Sequence, residues 1–326
     1  MQINGGKTML TLEDVKQAKD RLAPYVYQTP LIRLRNLDAY LGCEVYVKAE
    51  CMQLTNSFKI RGALNKALQL SPEQLKNGIV TASSGNHGKG VAYAGKMLGV
   101  PVTVVIPEHA PQVKLDAVKE LGAEVVRCEK SKRFDIAMNI SKERNCCYIH
   151  PFDDYDVMAG QGTAAIEIME QLPETTAIVS PVGGGGLISG LVTAAKGINP
   201  EVKVYGCEPE QFNRYTVSIA QGEPTLIPMG DSIADGIMTM KPGVKNFPIV
   251  RDRVDKIVAV DEEYIYKGMK LLLAYGKVLA EPTSSIGMAA VLQGLLQFKA
   301  TDKVVFFLSG GNVDLSLIQK IDEVKL

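Results

Sequence analysis

The sequence contains no tryptophan, only three histidines in 326 residues and no excess of charge, since Lys+Arg and Asp+Glu number 36 each. A balanced chain sets up no field that would concentrate nucleic acid or an acidic membrane surface, and no Lys/Arg cluster with interleaved aromatics supplies one locally. His87, His109 and His150 lack metal-ligand spacing. The six cysteines, Cys43, Cys51, Cys128, Cys146, Cys147 and Cys207, include no C-x-x-C pair, and the adjacent Cys146-Cys147 is poorly suited to bridging. Reduced thiols are therefore expected. No apolar run reaches the roughly eighteen residues of a membrane span, and Met1 to Asp20 holds no signal-peptide core, so the cytoplasm is the expected compartment. Tandem repeats, low-complexity tracts, G-x-S-x-G and a Gly-Lys-Ser/Thr phosphate loop are absent too.

What is present is enough apolar content, 46%, to bury a sizeable core over two or three domains. A helical pattern from Thr11 to Leu22 precedes two short strands at 31–34 and 44–48. From Gly78 an alternation begins: strands at 79–82, 102–106 and 123–126 are separated by helices at 88–98, 113–121 and 134–144. It restarts after Pro151 with helices at 159–172, 187–196, 264–275 and 284–296, and strands at 176–182, 202–207 and 304–308. Short, nearly continuous apolar strands between helices argue for parallel sheets covered on both faces, in two α/β units. The boundary is expected near Tyr148 to Asp153, and Glu210 to Asp255, rich in Pro, Gly and Met, reads as a long functional loop region.

The chemistry centres on Asn56-Ser57-Phe58-Lys59-Ile60-Arg61-Gly62-Ala63. A polar pair able to cap a helix stands before Lys59, and helix formers follow. In a first helical turn, free N–H groups and the macrodipole favour the neutral amine, the form that attacks carbonyl carbon. Ligands of parallel sheets sit beyond the carboxyl ends of strands, which directs attention to three loops. Ser83-Ser84-Gly85-Asn86-His87-Gly88 offers hydroxyls, an amide and helix-terminal N–H groups, suited to a carboxylate or a polar ring substituent. Gly183-Gly184-Gly185-Gly186 lets the backbone approach a phosphate in front of a helix N-terminus. Ser309-Gly310-Gly311-Asn312 presents a hydroxyl after the last strand. Glu208, about twenty residues beyond the tetraglycine, also suits a ribose-binding acid, which keeps a nicotinamide-dependent oxidoreductase open. A non-catalytic amino-acid-binding protein on the same scaffold is a further alternative.

A lysine nucleophile with a phosphate cradle fits pyridoxal 5'-phosphate. The motifs at 57–63, 83–88, 159–163 (Ala-Gly-Gln-Gly-Thr), 183–186 and 309–312 resemble, in order and over nearly the whole chain, the fold type II pyridoxal-phosphate enzymes of the threonine dehydratase and serine racemase group. The resemblance implies two doubly wound, three-layer α/β/α domains of the tryptophan synthase β type. Residues 1–52 and 153–326 would form the larger, cofactor-binding domain and 53–152 the smaller, with the site between them. It implies that Lys59 holds the cofactor's aldehyde covalently, that Phe58 packs on the ring and that Asn86 bonds the ring hydroxyl. Gly183, Gly184, Gly185, Gly186 and Leu187 would hold the phosphate and Ser309 would face the pyridine nitrogen. Ser83, Ser84, Gly85, Asn86 and His87 would take the substrate carboxylate, with Lys59 and Ser84 as catalytic groups on opposite ring faces.

The implied activity is β-elimination of L-threonine and L-serine to 2-oxobutyrate or pyruvate plus ammonia, in a homodimer or higher homo-oligomer. Serine racemase and L-threo-3-hydroxyaspartate dehydratase are the alternatives within the group. Three stretches bear on that choice. His150-Pro151-Phe152-Asp153-Asp154 is dehydratase-like, while Glu281-Pro282-Thr283 is racemase-like. Arg133 matches a racemase arginine that could bind a second carboxylate. Glu208 matches the first ligand of a divalent-cation site, but Arg214 stands where racemases carry an acid, which leaves the metal open. No regulatory domain is expected beyond Leu326.

Overall fold

The computed structural model describes residues 9–83, 85–110 and 112–326. Two sheets organise the described chain. The larger is built from β1 (Leu31–Arg33), β2 (Glu44–Ala49), β7 (Ala177–Pro181), β8 (Lys203–Pro209), β9 (Lys256–Val260) and β10 (Lys303–Leu308), in the order β1-β2-β10-β7-β8-β9. The smaller runs β5-β4-β3-β6, from β3 (Ile79–Ala82), β4 (Val102–Pro107), β5 (Glu124–Cys128) and β6 (Cys147–Tyr148). Every pairing is parallel except β1 with β2. That antiparallel edge departs from the all-parallel expectation and follows from the short connection of β1 to β2, which leaves no room for a crossover helix.

Burial on both faces explains the apolar strands. On β10, Val305 and Phe307 join the core under the helices Tyr155–Gln171 and Gly186–Ile198. Val304, Phe306 and Leu308 point the other way, into the core under Glu262–Ala274 and Pro282–Leu292. The smaller sheet is sandwiched likewise, Ile79 and Val104 packing with Ile60 and Leu64, and Val80 and Val105 with Ala137 and Ile140. Three differences from the sequence expectation lie in or just beyond the region read as loop. Arg214–Gln221 and Asn246–Arg253 are helices, and β9 completes the edge of the larger sheet. The helix expected from Ala159 begins at Tyr155, because Asp154 accepts from the N–H groups of Asp156 and Val157 as its cap.

The helix Lys59–Ala67 is tied to the larger sheet by a buried ionic cluster. Arg61, 1% exposed, donates through Nε and Nη2 to Glu50 at the end of β2, 2.8 Å each. Its Nη1 and Nη2 donate to Glu167 at 2.6 and 2.9 Å, and Lys48 Nζ donates to Glu167 at 2.6 Å. Two cations and two anions cancel, and Thr29 adds a hydroxyl donor to Glu50 at 2.5 Å. Arg61→Met would leave Lys48 alone against two buried carboxylates, so we expect a loss of about 3–5 kcal/mol in denaturant unfolding of the purified protein.

Candidate active site

The carboxyl ends of β3, β7 and β10, each parallel to its neighbours, open toward one another. Between them lies a cavity of about 880 Å³ lined by Phe58, Lys59, Ser83, Gly85, Asn86, His87, Gly183–Gly186, Leu187 and Ser309, among others. The three loops singled out in the sequence thus share one chamber with the lysine. Ser84 lies outside the described residues.

Lys59 is held there by an unexpected contact. Ser57 does not cap the helix: it is extended, forms an antiparallel bridge with Gly310, and its neighbour Phe58 donates its N–H to Ser309 O at 3.1 Å. Gly311 N–H donates back to Asn56 O at 2.9 Å. Thr55 and Asn56 accept left-handed φ angles of 63° and 57° to allow this staple. Lys59 Nζ lies 5.0 Å above the Phe58 ring and donates to Pro151 O at 3.1 Å. Its amine is lowered to about 8, chiefly by burial, with Glu281 pulling the other way. Burial, more than the helix terminus, therefore supplies the shift that the sequence suggested.

The tetraglycine loop has the features of an anion cradle. Gly185 sits at φ +102°, and a Cβ at Gly186 would lie 2.9 Å from Phe152 Cα and O. The loop carbonyls are occupied: Gly183 O accepts from Arg214 Nε at 2.9 Å, and Gly184 O from Tyr215 Oη and Gly243 N–H at 3.1 and 3.0 Å. The N–H groups of Gly183 to Gly186 find no acceptor among the described residues. Unsatisfied donors at a helix N-terminus facing a cavity fit a phosphate.

Glu281, noted in the sequence only within the racemase-like Glu281-Pro282-Thr283, holds a place in the chamber that no spacing announced. Its carboxyl, 4% exposed, accepts from Asn86 Nδ2 at 2.9 and 3.1 Å and from Ser309 Oγ at 3.2 Å. Burial raises it to about 7. A carboxyl therefore stands directly behind Ser309, the residue expected at the ring nitrogen, and engages the same Asn86 amide expected at the ring hydroxyl. Asn86 Oδ1 accepts from Asn312 Nδ2 at 2.7 Å, which leaves the amide held at both ends. The one local signal in the sequence was an acid directly before Pro282 in a chain segment that loops back to β10.

His87 is buried and its pKa falls well below the usual imidazole value, mainly through burial. A neutral ring donates from Nε2 to Ile149 O at 3.3 Å. Ser83 Oγ accepts from Gly85 N–H at 3.2 Å. Arg133 reaches the cavity wall with its guanidinium 4.4 Å from the Phe134 ring centre and bonded to Lys130 O at 2.6 Å. Also in the lining, Lys114 pairs with Asp235 at 2.5 Å, a contact no sequence pattern announced. Glu208 caps the helix that follows it. Its oxygens accept from Tyr215 N–H (3.0 Å), Thr216 N–H (2.8 Å) and Thr216 Oγ1 (2.8 Å). Among the described residues, no three His, Cys, Asp or Glu side chains converge as metal ligands.

Protonated Glu281 has a consequence for stability. The folded chain retains a proton that the unfolded chain releases near 4.5, so this contribution is complete below pH 4.5 and lost as pH rises through about 7. Glu281→Gln, neutral at every pH, should match the cofactor-free wild type near pH 4.5 and exceed it by up to roughly 3 kcal/mol above pH 7. Urea unfolding at the two pH values measures the difference, and parallel curves would contradict it.

The chain is similar to known proteins over nearly its full length. It is 43% identical over 315 residues to an L-threonine ammonia-lyase of Thermotoga maritima, covering 96% of this chain and 78% of that one. It is 42% identical over 317 residues to a serine racemase of Dictyostelium discoideum, covering 96% and 98%. The structure of maize serine racemase superposes with a TM-score of 0.91 at 37% identity, covering 95% of this chain and 96% of that one. Among the described residues, no helix is long and apolar enough to cross a membrane. The family model described as pyridoxal-phosphate dependent enzyme matches residues 22–310, and the chain belongs to that family.

Proposed function

We propose that this protein is a pyridoxal-phosphate-dependent ammonia-lyase that dehydrates and deaminates L-threonine and L-serine. The observation that carries this reading is the shared chamber: a lysine amine lowered to about 8 faces a glycine loop with free N–H donors and a buried hydroxyl at Ser309. When bound, the cofactor supplies an aldehyde for amines and a conjugated ring that takes up the electron pair left at Cα. Lys59 would hold that aldehyde, Gly183 to Gly186 and Leu187 the phosphate, Phe58 one ring face, Asn86 the ring hydroxyl and Ser309 the ring nitrogen.

The chain's own groups then divide the work. Ser83, Gly85, Asn86 and His87 receive the substrate carboxylate at the first turn of their helix, with Ser84 beside them in sequence. Lys59, once the substrate amine has taken its place, accepts the Cα proton on Nζ as general base, a role that a pKa near 8 suits at neutral pH. Pro151 O, which accepts from Nζ at 3.1 Å in the free chain, offers the ammonium so formed a hydrogen-bond acceptor. Elimination needs only this base, whereas racemisation needs a second acid/base on the other face, the place given to Ser84. The division into residues 1–52 with 153–326 and residues 53–152 is supported by which strands share each sheet. A cytoplasmic homodimer or higher homo-oligomer completes the reading.

Purified protein given pyridoxal phosphate should develop a visible absorbance band that Lys59→Ala lacks, and should release 2-oxobutyrate from L-threonine and pyruvate from L-serine. D-Serine as the dominant product would make the protein a racemase. Arg133 on the chamber wall favours a second, acidic substrate, L-threo-3-hydroxyaspartate. Arg133→Leu should cut kcat/KM for it by roughly tenfold or more while sparing L-serine. Equal losses on both substrates would remove Arg133 from substrate recognition.

A further inference from the structure

Arg214 is a cation with no exposed surface, placed against the back of the tetraglycine loop. Its Nε donates to Gly183 O at 2.9 Å, its Nη2 to Val182 O and its Nη1 to Phe212 O. The Glu208 carboxylate, already accepting three bonds from Tyr215 and Thr216, lies 4.0 Å away. In a planar trans peptide the C=O and the next residue's N–H point in opposite directions. Holding the Val182 and Gly183 carbonyls toward the guanidinium therefore turns the N–H groups of Gly183 and Gly184 away from it. These are two of the four loop donors that have no acceptor among the described residues.

We propose that Arg214 is a positioning residue for the phosphate site, a built-in cation that orients two loop N–H donors and supplies fixed positive charge behind them. The proposal rests on the tetraglycine loop being the cofactor's phosphate site. A planar fork suits the task because one side chain can engage adjacent carbonyls and remain charged where an ammonium would not. Burial lowers Arg214 to about 10, still well above neutral pH. A guanidinium here also repels a dissociable cation and occupies the Val182, Gly183 and Phe212 carbonyls, while the Glu208 oxygens are taken by Tyr215 and Thr216. The cradle should therefore carry its charge without a divalent ion.

The holoenzyme stripped of cofactor and titrated with pyridoxal phosphate and with pyridoxal, followed by absorbance, separates the phosphate term from the rest of binding. Wild type should prefer the phosphorylated form by at least about tenfold, in EDTA as in magnesium. Arg214→Met should lose most of that preference while its affinity for pyridoxal stays near wild type. Arg214→Lys, which keeps the charge but not the fork, should show a reduced preference, and serves alone if the methionine variant does not fold. A wild type indifferent to the phosphate would overturn the cradle itself. An undiminished preference in the variants, equal losses for both ligands, or a preference abolished by EDTA would overturn the role of Arg214 and leave the cradle standing.

Discussion

Arg61 is the point on which the chamber hangs. It stands two residues after Lys59, and its guanidinium bridges carboxylates from the end of β2 and from the helix Tyr155–Gln171. Four buried charges are costly to desolvate, and an apolar substitute for the whole set could be as stable. What such a substitute would lack is direction. Fork geometry fixes the rotation and height of the first turn of the Lys59 helix, and with it the line along which the amine enters the cavity. Glu50 is held below its ordinary value because Arg61 outweighs the cost of its burial, so Glu50 remains ionised where an isolated acid would not.

From that anchor the site follows by proximity. The staple between Ser57 and Gly310 places Lys59 beside Ser309, and Ser309 brings Glu281 and Asn86 with it. The same low-polarity surroundings push two groups toward neutrality from opposite sides, an amine down to about 8 and a carboxyl up to about 7. A chamber built this way keeps a nucleophilic amine available and places an acid where its protonation state responds near neutral pH. The Lys114–Asp235 pair spans the chamber lining with groups that remain partly hydrated, a contact that contributes little to stability.

Much of this was legible along the chain because it is local. Val304 to Leu308 is apolar at every position, which only a strand covered on both faces explains, and the strand is found at 303–308. Gly183 to Gly186 announced a close backbone approach for the same reason: the requirement is written in consecutive residues. The shortcomings are equally physical. Lys256–Val260 is an edge strand with partly exposed positions, so its pattern is diluted. Ser57 looked like a cap, but a partner 253 positions away claimed its backbone.

The sequence by itself determined the two-sheet α/β architecture and singled out Lys59 and the loops that line its chamber, since periodicity, glycine runs and helix starts are properties of neighbouring residues. Tertiary structure alone decided that Glu281 stands behind Ser309, that burial sets the Lys59 amine, and that Glu208 caps a helix while Arg214 backs the glycine loop. Those outcomes depend on desolvation and on which distant groups meet across a cavity. Both arise only when the carboxyl ends of two parallel sheets are brought face to face.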